Sequence, residues 1–153
     1  MSTKFTSPEA AERAFYQAIE KADIRLLGEV WARNDGVVCI HPGCGRIEGR
    51  RAVLESFADL FVDAPAIEFN ISDTVHSGFG SIAIHTVREE VQLDGQVISS
   101  MVATNIFQRG DSGEWSMVLH HSSHEPDMHL DELFDDIDFD DFDDDHEVPP
   151  VLH

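Results

Sequence analysis

Cysteine, basic residues and long apolar runs are all scarce in this chain, and each scarcity removes a class of protein. Two cysteines, Cys39 and Cys44, in 153 residues cannot build a disulfide framework. In a reducing compartment they are most simply free thiols, although a five-residue separation across a bend could be bridged. With His41 they spell Cys-x-His-x-x-Cys. A structural zinc site usually shows four ligands at familiar spacings, so no metal ligand is assigned from the sequence. Ten Lys and Arg stand against 30 Asp and Glu, without a basic stripe. That balance argues against binding nucleic-acid backbones or anionic membrane surfaces. The N-terminus lacks an apolar signal core, and no run approaches the roughly 18 apolar residues of a membrane span, so a cytoplasmic protein is expected.

The charge of −20 is unevenly placed, because 13 of the 30 acids lie between Glu125 and His153, a stretch with no Lys or Arg. The first 124 residues hold 17 acids and 10 bases, a net of −7, as in an ordinary acidic domain. The sequence therefore divides into a folded domain over 1–124 and an acidic tail over 125–153, expected to be disordered or loosely docked. Leu130, Leu133, Phe134, Ile137, Phe139 and Phe142 interrupt the tail's acids. Such acidic-hydrophobic segments can dock on a groove or bind a basic partner. The tail has neither the glycine nor the terminal glutamate of a calcium loop.

Within the first 124 residues the hydrophobic period changes once. Ser7-Pro8-Glu9 reads as an N-cap with proline at the first helical position. Ala11, Ala14, Phe15, Ala18 and Ile19 then form one helical face through about Lys21. A second short helix opens at Asp23, carries Leu26, Leu27, Val30 and Trp31, and breaks at Asn34-Asp35-Gly36. A strand, Val37 to His41, and a bend at Pro42 to Gly45 lead to a third helix with Val53, Phe57, Leu60 and Phe61 on one stripe. From Ala66 the period falls towards two, with strands expected at about 66–77, 80–92, 96–109 and 114–123. Turns are expected at Ser77-Gly78, Asp94-Gly95 and Gly110 to Gly113. Helices followed by an antiparallel meander indicate an α+β fold, not a βαβ one.

Two strands are expected to end in histidine, at His41 and at His120-His121. Imidazole, with an unperturbed pKa of about 6.5, can take or give a proton at neutral pH. By strand parity Asn105 shares a face with Met101, Ala103 and Phe107, and His121 shares one with Trp115, Met117 and Leu119. Apolar faces carrying a few polar groups are how small-molecule pockets are built. His85 and Glu89 share one face of their strand and Arg88 and Glu90 the other, and either face could line the pocket. A metal set of His41, His121 and Glu89 is conceivable only if the three converge.

The Asp-Gly-Val-Val-x-x-His-Pro-Gly segment, the Glu48-Gly49 step, Ala103-Thr104-Asn105-Ile106-Phe107 and the run from Trp115 to Ser123 together resemble SnoaL-like proteins of the nuclear transport factor 2-like, or ketosteroid isomerase-like, superfamily. The resemblance spans about Pro8 to His124. It implies a cone-shaped barrel of a curved, mainly antiparallel sheet packed on three N-terminal helices, an apolar pocket, and commonly a homodimer formed through the sheet. In the isomerases a carboxylate base precedes a proline at the position similar to His41. Their tyrosine and acid oxyanion donors look to fall at Phe15 and Asn105, so a steroid isomerase is not expected. The reading that follows is a small-molecule-binding domain with cofactor-free acid–base chemistry of isomerase, cyclase or dehydratase type. His41 is the candidate base, His121 its partner and Asn105 a donor to a carbonyl or enolate oxygen. Phe15, Trp31, Met101, Phe107 and Met117 are the candidate ligand-lining residues, and the ligand class is a small apolar or carbonyl-containing molecule. Each residue also has a structural reading: the aromatics as core, Asn105 bonded to a neighbouring strand, His120 in a subunit interface. The alternative function is a noncatalytic ligand-binding or dimerisation domain with partner recognition through the acidic tail.

Overall fold

The computed structural model describes residues 5–126, so most of the acidic tail, 127–153, lies outside the described residues. Helix α1 runs Pro8–Glu20, and the Ser7 side chain accepts from the Ala10 amide at 3.1 Å, as the sequence pattern predicts. Helix α2 spans Ile24–Val30, capped by Asp23 through the Leu26 amide at 3.0 Å. Strands β1, Val38–Ile40, and β2, Arg46–Glu48, form a short antiparallel pair before helix α3, Arg50–Phe61. Three long strands and one shorter one follow: β3 Glu68–Phe79, β4 Ile82–Leu93, β5 Gln96–Arg109 and β6 Trp115–His124. No described helix is long and apolar enough to cross a membrane.

The six strands form one sheet in the order β2-β1-β6-β5-β4-β3. All neighbours are antiparallel except β1 and β6, which run parallel with Cys39 opposite His120. The sheet is not closed, since its edge strands β2 and β3 are not paired with each other. The three helices cover one face, which gives the α+β cone expected from the sequence. Phe15, Trp31, Leu27, Val53, Phe107 and Met117 fill the space between helices and sheet, and burying each contributes roughly 1.5–3 kcal/mol.

Several boundaries differ from the sequence reading. β2 replaces what reads as a connection into the third helix, because Ile47 pairs with Cys39 and packs on the core. β3 continues through Ser77-Gly78, and the chain turns at Gly80-Ser81 instead. The Asp94-Gly95 turn stands as expected, with positive φ at both residues (51° and 79°), the geometry that matches strand twist in a tight hairpin. β1 stops at Ile40, leaving His41 one residue beyond it, while β6 continues three residues past His121. Leu60 of the third helix's apolar stripe is exposed.

Two bulges set which side chains face the helices. In β3, Ser72 pairs with Arg88 and Val75 with Thr86, so Asp73 and Thr74 oppose the single residue Val87. Asp73 adopts a positive φ of 50° there. In β6, Leu119 pairs with Ile106 and Met117 with Phe107, leaving Val118 as the extra residue. Each extra residue exchanges the two faces of the strand beyond it.

Candidate functional site

The helix-facing side of the sheet carries a buried polar network centred on Asn105. Its amide nitrogen donates to Glu12 Oε2 and to the Tyr16 hydroxyl oxygen, both at 3.0 Å. Its carbonyl oxygen accepts from His120 Nδ1 at 2.6 Å, so that nitrogen carries the proton. Glu12 Oε2 also accepts from His85 Nδ1 at 3.0 Å. Glu89 accepts hydrogen bonds from the Tyr16 hydroxyl and, at 2.7 Å, from Ser122 Oγ. Glu12, Tyr16, His85, Glu89, Asn105, His120 and Ser122 are all buried.

Burial and the surrounding charges set the protonation states. Burial, with Glu89 beside it, raises the Tyr16 phenol above its ordinary value, so it remains a proton donor. Burial likewise raises Glu89, against the opposing hydrogen bonds from Ser122 and Tyr16. His120 is lowered to about 3, first by burial and then by His41 and His121, and is neutral at physiological pH. Cys39 is pushed up to about 12 by burial and by Glu89, which makes it an inert thiol. Cys39 and Cys44 are both free.

His41 stands apart from this network, against α3. Its Nε2 lies 2.9 Å from Ser56 Oγ, and the Ser56 hydroxyl donates its one hydrogen to the Val53 carbonyl at 2.6 Å. Ser56 must therefore accept the Nε2 proton, which leaves the lone pair of His41 on Nδ1. The ring is half-buried and meets Phe57 edge-on at 4.7 Å. Burial lowers its pKa, keeping it neutral near pH 7. Phe57 in turn packs edge-on to Phe15, whose ring lies 4.7 Å from that of His120, so two aromatic rings separate the two histidines.

The structure brings together some of the residues singled out from sequence and separates others. His121 is exposed, and its neighbours His120 and Ser122 are the inward residues. The parity count from Trp115 fails because Val118 is a bulge. His121 and Glu89 thus lie on opposite faces, and the conceivable His41, His121 and Glu89 metal set does not converge. Asn105 is buried as expected, but both its amide hydrogens are taken by protein groups. Phe15, Trp31, Phe107 and Met117 are fully buried core residues, and Met101 is half-buried with its sulfur 3.6 Å from Ser122 Oγ. A groove of about 290 Å³ beside α1 is lined instead by Glu12, Tyr16, Glu20, Phe69 and Ile71, among others. The residue after Phe15, Tyr16, is the tyrosine of α1 that joins this network.

Sequence reasoning passed over Glu12, Tyr16 and Ser122. Glu12 and Tyr16 lie four residues apart along the edge of the apolar stripe of α1, a spacing that stacks them on one face. That signal was available. The choice left open for β4 resolves in favour of His85 and Glu89, which face inward with Ala83, Val87 and Val91. Arg88 and Glu90 face away, and Arg88 bonds Glu125 at 2.8 Å.

A profile of the SnoaL-like domain matches residues 9–128. The chain belongs to this family. Among solved structures, this SnoaL-like chain is similar to a protein from Thiobacillus denitrificans described as a candidate calcium/calmodulin-dependent protein kinase type II association domain. The two share 34% identity and a TM-score of 0.76 over 81% of this chain and 99% of that one. A candidate dehydratase of the NTF2-like family from Streptomyces avermitilis shares 30% identity, with a TM-score of 0.69 over 77% and 93% of the two chains. A candidate ketosteroid isomerase from Parabacteroides distasonis is 18% identical, with a TM-score of 0.65 over 80% and 90%, a likeness of fold alone. No curated protein matches the chain.

Proposed function

We propose that this SnoaL-like domain binds a small apolar or carbonyl-containing molecule and carries out cofactor-free acid–base chemistry on it, of isomerase, cyclase or dehydratase type, with His41 as base. The observation that carries this reading is the state of His41: neutral, half-buried, and oriented by Ser56 so that Nδ1 is unprotonated. A base of this kind removes a proton beside a carbonyl, and such groups contribute about 10²–10⁴-fold to rate. Asn105 and Tyr16 act in this reading as positioning residues, because their hydrogens are engaged with Glu12 and Glu89.

The test begins with apolar ketones screened by thermal shift on the full chain. Compounds that bind are then followed for deuterium uptake at the carbon next to the carbonyl. Wild type should catalyse uptake, and His41→Ala should lose it by at least about 100-fold while still binding. Uptake unchanged in His41→Ala removes this histidine from the chemistry.

A second reading, a noncatalytic binding or dimerisation domain, is favoured by one observation. Every hydrogen of the Asn105 amide and the Tyr16 hydroxyl is satisfied within the protein, as in a network that fixes a core. Ligand binding without deuterium uptake by wild type supports it. The homodimer and the recognition role of the 125–153 tail belong to this second reading.

A further inference from the structure

Away from His41, where the start of α1 crosses the β3–β4 edge, three side chains of metal-binding type come together. Glu9 Oε1 lies 3.4 Å from His76 Nδ1 and 4.0 Å from His85 Nε2. The ligand atoms of all three residues lie within 4.8 Å of one another, and among the described residues this is the one such group. We propose that Glu9, His76 and His85 form a divalent-metal site of zinc type, with Glu12 as its outer carboxylate and a fourth position open to solvent.

Three features support the assignment. The first is spacing: ligands about 2.0–2.1 Å from a tetrahedral zinc are about 3.4 Å apart. Glu9 and His76 already meet that value, and the half-exposed His76 and Glu9 side chains have room to rotate towards His85. The second is the partner of the buried ligand. Glu12 holds His85 Nδ1 at 3.0 Å, which places the proton on that nitrogen and presents the Nε2 lone pair to Glu9. Metal-bound histidines are oriented by a carboxylate in this way.

The third feature is the backbone. His76 and His85 are direct cross-strand partners and therefore share the inward face, close to the Asp73-Thr74 bulge. Bulges commonly re-aim a side chain beside a site. The rings are stacked 3.9 Å apart at 22°, so the half-exposed His76 must turn out of the stack for both lone pairs to meet one ion. Two imidazoles and one carboxylate, with one side open, form the ligand set of a zinc ion that keeps a water. The inference does not depend on His41 or on the proposed function.

The experiment uses the full chain, stripped with a chelator and titrated with Zn²⁺ by calorimetry, alongside His76→Ala and Glu9→Gln. Both substitutions fall on half-exposed side chains, and circular dichroism verifies folding. Wild type is expected to bind one equivalent, each variant at least about 10-fold more weakly. Substituted Co²⁺ should give the intense visible absorption of a tetrahedral site in wild type and lose it in both variants. Binding equal in wild type and both variants overturns the proposal and places the metal on the acidic 127–153 segment or elsewhere. Absence of one-to-one binding in wild type overturns it as well.

Discussion

His41 and His120 are both neutral, but their environments give them different work. His120 has its Nδ1 proton committed to Asn105, and burial lowers its pKa from 6.5 to about 3. The unfolded chain therefore takes up a proton below pH 6.5 that the native chain refuses. The corresponding stability is complete above pH 6.5 and is lost as pH falls towards 3, at about 1.4 kcal/mol per pH unit. Glu89 acts in the opposite sense: its raised pKa lets the native state protonate first, so acidification there favours the fold. Comparing wild type with His120→Gln isolates the histidine. In urea titrations between pH 7 and about pH 4, wild type should lose stability more steeply than the variant, and parallel profiles would contradict the assignment. At His41 the prediction concerns the tautomer. Nitrogen-15 NMR should find the proton on Nε2 in wild type, and Ser56→Ala should shift the equilibrium towards a proton on Nδ1 while leaving the fold intact. Residue identity was informative here: the half-buried His41 beside Pro42 could be singled out from sequence, whereas its orientation could not, because Ser56 lies 15 positions away on another element.

At the scale of elements, the helices were legible and the facing of the strands was not. Ser7, Pro8 and Asp23 announce their helices through caps that depend only on near neighbours. Alternation in β4 is likewise unbroken, which is why His85 and Glu89 could be paired on one face from sequence. In β3 and β6 a single extra residue reverses the count, and nothing in Asp73-Thr74 or Val118 marks it locally. Whether a strand bulges depends on the register of its neighbour, a long-range property. A second long-range device holds Trp31. Arg50, at the start of α3, donates to the Gly28, Trp31 and Ala32 carbonyls at 2.8–3.2 Å and so closes the end of α2. Arg50→Ala should therefore cost about 2–3 kcal/mol, as for hydrogen bonds to a charged group. Urea unfolding followed by tryptophan fluorescence checks this, and a loss below about 0.5 kcal/mol would show that water replaces the guanidinium without penalty.

For the molecule as a whole, the two sides of the sheet differ in character. The helix side is packed and holds the polar network, while Val75 and Phe79 of β3 and Val97, Ile98 and Val102 of β5 are exposed on strands. Such residues fit the homodimer proposed for this domain. Val102→Asp should then shift the chain from dimer to monomer in sedimentation equilibrium, and an unchanged mass would move the interface elsewhere. The fold class was readable at this scale because one change of period, from helical to alternating, divides the chain near residue 66. The two bulges also bear on how such a site is altered over time. The pairs on either side of each bulge, Ser72 with Arg88 and Val75 with Thr86 in β3, Met117 with Phe107 and Leu119 with Ile106 in β6, enclose one more residue than the partner strand needs. A one-codon deletion there would regularise the strand and leave the same inward side chains in place, His76 and His120 included. These two points thus tolerate a change of chain length that would reverse the faces anywhere else in the sheet.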